Sequence, residues 1–249
     1  MEFVSGLPKG VFVGQTQIQH PHALPSPHPA LSGFNLALHV KDQPQRVQQH
    51  RMQLLQDFSH YGVSQLSWMT QTHSTDIFAI DQVPHFEALV GDGMRTRNQG
   101  HALMIMTADC LPVVMGNANA SEISNLHAGW RGLADGIIEN MLAQMQSPVT
   151  WAWLGAAISQ PCFEVGAEVR DKFCGKYPAL DTAFVASTAP HQTNKFYADL
   201  YAIARYILAQ HGVSTVLGGA QCSYRQDHDF YSYRRNPLSG RMATFAFIA

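Results

Sequence analysis

The apolar segments of this chain are short, and this feature limits the possible fold more than any other. Residues 102–108 (ALMIMTA) are almost entirely apolar but too few for a typical helix, so they predict a buried strand. No apolar run approaches the ~18 residues that a membrane-spanning helix needs. The other predicted strands are residues 63–71, 75–80, 122–127, 149–158, 214–218 and 242–248. The core must therefore be built from several short strands and the helices that pack on them.

Three other segments place their apolar residues on one helical face: residues 46–60, 131–146 and 199–210. At the last of these, Asp199 is suited to cap the N-terminus and Gly212 to close the C-terminus. Strands and helices are mixed without strict β-α alternation, which favours an α+β or layered α/β/α domain over a doubly wound sheet. Because no repeat or linker divides the chain, residues 1–249 are predicted to form a single domain.

Composition narrows the class of protein further. With 249 residues, 46% apolar and 14% charged, the chain is globular and not disordered. A net charge of −2 gives no electrostatic reason to expect nucleic acid or a membrane as a partner. The N-terminal MEFVSGLPKGVFVG lacks the basic and apolar regions of a signal peptide, so a cytoplasmic location is expected. In that reducing compartment the four cysteines are expected to be free thiols or ligands.

Three segments are predicted to present a reactive side chain where a strand ends. LSWMTQTH ends at His73, and ALMIMTADC ends at Cys110. In EISNLHAGWRG, His127 is followed by Gly129, where the chain turns into a helix. If these strand ends share one edge of a sheet, one thiol and two imidazoles meet there.

A thiolate with two imidazoles is a ligand set of catalytic zinc, which keeps a fourth position open. The separations, 37 residues from His73 to Cys110 and 17 from Cys110 to His127, match no local zinc motif, so spacing alone is weak support. A second interpretation is a metal-free pair in which His73 or His127 activates Cys110 for attack on a carbonyl. The third is that each side chain is merely buried or satisfied by neighbours.

Other candidate groups are less specific. Asp109 could orient one of the histidines, although strand alternation places it opposite Cys110, where a structural role is equally expected. The GDG at 91–93 indicates a turn first and a site second. Arg131, Arg234 and Arg235 could hold a phosphate bidentately, with a surface salt bridge as the alternative for at least one of them.

Two further stretches are interpreted as structural. The Pro-rich QHPHALPSPHP carries His20, His22 and His28 and predicts an irregular loop, which could bind metal only weakly because it lacks a rigid scaffold. Cys162 follows Pro161 and is taken as a structural thiol. No Walker-type loop or GxGxxG precedes a helix, so nucleotide binding by those devices is unsupported.

Five segments together resemble the motifs of the bacterial YfiH-like family: QTHSTDI, MTADCLPVV, HAGWRGLADGI, GAAISQPCFEVGAEV and YSYRRNPLSGRMA. Members of that family have been labelled polyphenol oxidases or laccase-domain proteins, and also peptidoglycan editing factors. The resemblance covers nearly the whole chain and implies a layered α/β/β/α sandwich with a metal site, usually zinc. Its ligands are here His73, Cys110 and His127. Cys110 is then a thiolate ligand and forms no covalent intermediate, and Leu111–Pro112 is expected to end its strand.

The resemblance also implies an activity. Family members look like purine nucleoside phosphorylases that act on adenosine, inosine and methylthioadenosine, and some also deaminate adenosine. A purine nucleoside and inorganic phosphate are therefore the expected partners. The predicted substrate-binding residues are Asn35, Gln71, Arg131, Arg234 and Arg235. One position departs from the family pattern: Gln17 stands where an Arg followed by Gly-Gly is usual, which bears on phosphate affinity or substrate choice.

Two alternative functions stay open. Cu²⁺ instead of Zn²⁺ at the Cys–His–His set would allow polyphenol oxidation. Multicopper oxidases, however, use many paired His-x-His ligands, and this chain has one such pair, His20 and His22. The editing-factor label instead suggests a Cys–His hydrolase of peptidoglycan precursors, or a non-enzymatic partner in that process.

Overall fold

The computed structural model describes residues 3–82, 89–188 and 194–249, and its mixture of strands and helices confirms the predicted α+β class. The strands are β1 (Val11–Gln15), β2 (Gln65–Ser67), β3 (Ile77–Ala79), β4 (Gly93–Thr96), β5 (His101–Thr107), β6 (Leu111–Gly116), β7 (Ile123–Ala128), β8 (Trp151–Leu154), β9 (Glu164–Gly166), β10 (Phe184–Ala186), β11 (Lys195–Ala198), β12 (Thr215–Gly218) and β13 (Met242–Ile248). The helices are α1 (Pro44–Ser59), α2 (Trp130–Asp135), α3 (Ile137–Gln144), α4 (Ala167–Lys176) and α5 (Leu200–Gln210). None of the helices in the described part of the chain is both long and apolar enough to cross a membrane.

The described strands form three sheets. A four-stranded sheet has the order β1-β13-β5-β2, and a six-stranded sheet has the order β12-β8-β6-β7-β4-β3. A small sheet of β10, β11 and β9 completes the set. Three neighbouring pairs are parallel, namely β2 with β5, β3 with β4, and β8 with β12, and the others are antiparallel. The two larger sheets are therefore mixed, as an α+β fold without regular β-α alternation requires.

Side-chain alternation on the strands stacks these elements into layers. Because successive strand residues point to opposite faces, β5 packs Met104 against α1 and Leu103 against the six-stranded sheet. On β6, Val114 faces the four-stranded sheet, whereas Val113 packs with the helices on the far side. The resulting order is helix α1, four-stranded sheet, six-stranded sheet, then α2, α3, α4 and α5. The central strands β6, β7 and β13 are buried on both faces, whereas the edge strands β3 and β12 are only partly covered.

The helix predictions are confirmed at two of the three segments. In α1 the buried face includes Val47, Leu54 and Phe58, as the periodicity predicts. The Asp199 side chain accepts a hydrogen bond from the Ala202 amide at 3.0 Å and so caps α5. The predicted helix 131–146 is instead two helices, because Gly136 adopts a φ of +96° that ends α2 before α3 begins.

The expectation that Leu111–Pro112 ends a strand is wrong. Leu111 begins β6, and Pro112 pairs with His127 of β7. Proline lacks an amide donor, and this loss is tolerated close to the start of a strand. The Pro112 carbonyl still accepts the Gly155 amide at 3.1 Å. Cys110 therefore lies in a short connection between two strands, with a strand on either side to position it.

Candidate metal centre

His73, Cys110 and His127 come together in the folded chain. Each offers one ligand atom, and these three atoms all lie within 4.8 Å of one another. The Cys110 Sγ is 3.7 Å from His73 Nε2. The two imidazole rings meet edge to face, with their centroids 4.7 Å apart and their planes at 67°. The residue types that predict a metal site are thus close enough in space to share one ion.

The three side chains come from both large sheets. Cys110 follows β5 of the four-stranded sheet and precedes β6 of the six-stranded sheet, whereas His127 lies within β7 of the six-stranded sheet. His73 lies in the loop after β2 and has a φ of +61°, and Asp109 beside Cys110 has a φ of +91°. The three side chains therefore meet without sharing one edge of a single sheet. The cluster forms where the chain passes from one sheet to the other.

A buried carboxylate, Asp92, organises the cluster from behind. Its Oδ1 accepts hydrogen bonds from His127 Nδ1 at 2.7 Å and from the His73 amide at 3.0 Å. Its Oδ2 accepts the Ser74 amide at 2.7 Å, the Ser74 hydroxyl at 2.9 Å and the Thr72 amide at 3.1 Å. Because Nδ1 of His127 is bound to Asp92, its Nε2 is the nitrogen left for the cluster.

Asp92 fills the orienting role that the sequence suggested for Asp109. Asp109 is nearly buried and instead accepts the Ser223 hydroxyl and the Arg234 amide, each at 2.7 Å. These contacts agree with the structural alternative for Asp109. Asp92 is the central residue of the GDG motif and directly precedes β4. Because β4 pairs with β7, Asp92 lies beside His127.

A glycine lets the thiol and the His73 ring lie close to the backbone. A Cβ atom at position 129 would lie 3.0 Å from Cys110 Sγ and 3.2 Å from His73 Cδ2. Gly129 is also the residue that precedes α2, with an extended conformation that any residue could adopt. Its small size is therefore needed for the cluster and not for the backbone.

The Cys110 thiol and the His127 imidazole shift each other's pKa. Burial raises the pKa of the Cys110 thiol, but the charge of His127 and hydrogen bonds to His127 and His73 outweigh burial and lower it. Burial lowers the pKa of His127, but the Cys110 charge and the bond to Asp92 outweigh burial and raise it. The Asp92 pKa is raised by burial and lowered more strongly by His127 and Ser74. Without metal, the pair is thus stabilised as thiolate and imidazolium.

The predicted substrate-binding residues lie in different surroundings. The Gln71 amide exchanges two hydrogen bonds with the Met106 backbone, at 2.7 and 2.8 Å. Asn35 is fully buried, and its Oδ1 accepts the Ala37 and Arg241 amides. Their assignment to substrate stays a prediction.

The three predicted phosphate-binding arginines differ in how free their side chains are. Arg131 is exposed and stacks on Trp130 at 4.4 Å. Arg234 is exposed and donates to the Glu164 carbonyl. Arg235 donates to the carbonyls of Ser223, Tyr224 and Phe230, all within the loop that follows β12. Their roles in substrate binding also stay predictions.

Cations that the sequence reasoning missed lie near the cluster. Desolvation lowers the pKa of His39, and the charges of Arg241, Arg51 and His127 lower it further. Burial lowers the pKa of Arg241, while the charges of Cys110 and Asp109 oppose this. Arg51 precedes His73 by 22 residues and Arg241 follows His127 by 114, so no local motif groups them with the trio.

The chain is similar to several known proteins. Residues 25–249 match the family described as multi-copper polyphenol oxidoreductase laccase. YfiH of Escherichia coli, named a purine nucleoside phosphorylase, is 35% identical over 223 residues, which cover 88% of each chain. Adenosine deaminase RL5, from an unknown prokaryotic organism, is 33% identical over 231 residues, 86% of this chain and 87% of that one. The crystal structure of Neisseria meningitidis protein NMB0706 has a TM-score of 0.89 at 34% identity, with coverage of 100% and 99%.

Fold and site together define an α+β protein with two stacked sheets and a Cys–His–His cluster suited to a metal ion. The chain belongs to the YfiH-like family, to which the laccase-type family description applies.

Proposed function

We propose that this protein is a zinc-dependent purine nucleoside phosphorylase that acts on adenosine, inosine and methylthioadenosine, with adenosine deamination as a second activity. The observation that carries this proposal is the Cys110, His73 and His127 cluster, held by Asp92, in a chain whose relatives bear those names. We further propose that residues 1–249 act as one catalytic domain and that the activity is cytoplasmic.

The residues present fit a zinc ion. One thiolate and two imidazoles match the three protein ligands of catalytic zinc sites, and Asp92 supports His127 in the way that outer carboxylates support ligating histidines. When bound, the metal would supply Lewis-acid stabilisation of negative charge, for phosphorolysis and deamination alike.

Phosphate needs a cationic site close to the cluster. In phosphorolysis a phosphate oxygen bonds to C1′ of the ribose, the C1′–N9 bond breaks, and the base leaves with that electron pair and takes up a proton. Arg241 is a partly buried cation whose pKa responds to the charge of Cys110, and Arg51 is a second partly buried cation whose charge acts on His39 together with those of Arg241 and His127. Partly buried guanidinium groups of this kind can bind phosphate bidentately. Arg51 also lies over Trp68 at 3.9 Å and so is held in place. We assign phosphate binding to these two arginines.

The purine base needs an apolar surface at the entrance of the same site. Tyr233 is 53% exposed, and its ring lies 5.7 Å from the Arg241 guanidinium. The next residue, Arg234, is fixed through its amide to Asp109 beside Cys110. An exposed ring on an anchored backbone is suited to stack on a purine, so we assign base binding to Tyr233.

The direct test measures phosphate-dependent release of adenine from adenosine by purified, zinc-loaded protein. Wild-type protein is expected to release adenine and ribose 1-phosphate, whereas Cys110→Ala should not. Cys174→Ala is a matched control, because that thiol lies on α4 outside the cluster. Equal rates for wild-type and Cys110→Ala protein would exclude the proposed chemistry.

The laccase-type family description motivates a second candidate, copper-dependent polyphenol oxidation. The Cys–His–His set can also bind a single copper ion. Metal analysis of protein purified without added copper, together with an oxidation assay on a phenol, separates the two functions. Bound zinc with no phenol oxidation supports the phosphorylase. Bound copper with oxidation supports the oxidase.

A further inference from the structure

A second group of metal-ligating side chains lies outside the candidate metal centre. Asp57 on α1 faces two histidines of the Pro-rich loop, His20 and His22. Its Oδ2 is 3.8 Å from His20 Nε2, and its Oδ1 is 4.0 Å from His22 Nε2. The two imidazole centroids are 5.6 Å apart.

The loop that carries these histidines is anchored. The Leu24 amide donates to His50 Nε2 at 3.0 Å, and the Leu24 carbonyl accepts from Arg46 Nε and Nη2 at 3.0 and 2.8 Å. The His20 ring stacks on Phe34 with centroids 3.8 Å apart and only 5% of its side chain exposed. The expectation that this loop lacks a rigid scaffold is therefore wrong.

The charges around His20, His22 and Asp57 are compatible with an added cation. Among the described residues, Asp57 forms no ion pair with a lysine or arginine, and its other side-chain partner is the neutral amide of Gln53 at 3.0 Å. Burial lowers the pKa of His20 to about 4, although Asp57 opposes this.

A recess in front of the group can accommodate an ion. It has a volume of about 220 Å³ and is bordered by His20, His22 and Asp57, with the rings of Phe3 and Tyr61 nearby. This volume is several times the ~30 Å³ that one water occupies in the liquid, so a cation could keep water ligands there.

We propose that His20, His22 and Asp57 form a second metal site, for a divalent transition-metal cation such as Zn²⁺. Two histidines and one carboxylate hold such cations in sites with open positions. Metal–ligand bonds of about 2.0–2.2 Å at tetrahedral angles separate neighbouring ligand atoms by about 3.4 Å. The His20–Asp57 and His22–Asp57 separations are about 0.5 Å wider, and the side chains of Asp57 and His22, which are 29% and 49% exposed, have room to close them.

Cation binding has one local cost. His20 Nδ1 accepts the His22 amide at 3.3 Å, which places the ring proton on Nε2. A cation on Nε2 moves that proton to Nδ1 and breaks this long, weak hydrogen bond. Three metal–ligand bonds replace it.

The test titrates Zn²⁺ into untagged, chelator-stripped protein and measures stoichiometry by calorimetry. Cys110→Ala is used as the background, so that the result does not depend on the Cys–His–His cluster. This variant is expected to bind one Zn²⁺ per chain, and adding Asp57→Asn should abolish that binding. His28→Ala, in the same loop but outside the group, should keep it.

Two outcomes would overturn the proposal: Cys110→Ala protein that binds no Zn²⁺, or the same stoichiometry after Asp57→Asn is added. If the Asp57→Asn protein does not fold, Cys110→Ala with His22→Ala replaces it, because His22 is exposed. A thermal-shift assay gives an independent readout: Zn²⁺ should raise the Tm of Cys110→Ala protein and leave that of the double variant unchanged.

Discussion

Replacing Asp92 with Asn tests whether the buried carboxylate sets the state of the metal cluster. The substitution keeps the size of the side chain but turns one acceptor oxygen into a donor NH₂. Oδ2 has more hydrogen-bond donors around it than Oδ1, so the remaining oxygen should take the Oδ2 position. The new NH₂ then faces His127 Nδ1, which must become an acceptor and move its proton to Nε2, the nitrogen needed by the metal.

The size of the effect follows from these contacts. The loss of an outer-shell partner typically costs 10–100-fold in metal affinity, or about 1.4–2.8 kcal/mol. Stability should also fall, because removing one side of a buried charged pair costs about 3–5 kcal/mol. We therefore expect Asp92→Asn to fold, with a lower Tm, and to bind Zn²⁺ at least tenfold more weakly.

Asp109→Asn is the matched control, since it makes the same change at another buried carboxylate beside Cys110. Asp109 contacts Ser223 and Arg234 but is not bonded to either histidine in the described structure. Zn²⁺ affinity, measured by competition with a chelator of known affinity, should fall less than tenfold in this variant. If Asp92→Asn holds Zn²⁺ as tightly as Asp109→Asn does, Asp92 does not set the His127 tautomer.

Four further predictions address the site and the fold. Gly129→Ala should weaken Zn²⁺ binding while the far-UV circular dichroism stays native, because its Cβ would press on Cys110; unchanged affinity would contradict this. In metal-free protein the lowered pKa of Cys110 keeps its thiolate present as the pH falls, whereas burial raises the pKa of Cys174. The rate at which iodoacetamide modifies Cys110 should therefore rise at lower pH than the rate at Cys174. Arg241→Gln should raise the KM for phosphate about tenfold or more and change that for nucleoside less, with steady-state kinetics as the measurement. Asp199→Ala should lower the free energy of unfolding in urea by about 1 kcal/mol and leave activity intact, because it removes the α5 cap.

The parts of the fold that could be predicted are the elements whose own sequence shows a periodic or capping pattern. The face of α1, the Asp199 cap and the buried strand β5 follow from local periodicity and capping chemistry. The break at Gly136 and the continuation through Pro112 were missed, because both depend on what neighbouring elements pack against them. Strands such as β9 and β10 are three residues long and leave no pattern to read.

The metal-ligating residues of the candidate site could be predicted, but the residues that hold them in place could not. His73, Cys110 and His127 could be selected because reactive side chains follow short apolar strands. Asp92 could be noted only as part of the GDG turn, because its role depends on β4 lying beside β7, which is a long-range pairing. Arg51 and Arg241 are nearly two hundred residues apart in sequence, and no local pattern connects such a pair.

The crossing of the chain between the two sheets has a consequence for the order in which the protein matures. The trio spans both sheets and 37 residues separate His73 from Cys110, so an unfolded chain presents no compact chelate of these three residues. The three ligands come together only once both sheets have formed, because the strands that flank them belong to different sheets. Metal uptake at this cluster should therefore follow folding, unlike in small zinc fingers, whose folding depends on the ion. Because the denatured chain binds the ion poorly, nearly all of the free energy of metal binding stabilises the native state. A chain synthesised without the ion can therefore fold first and bind it later.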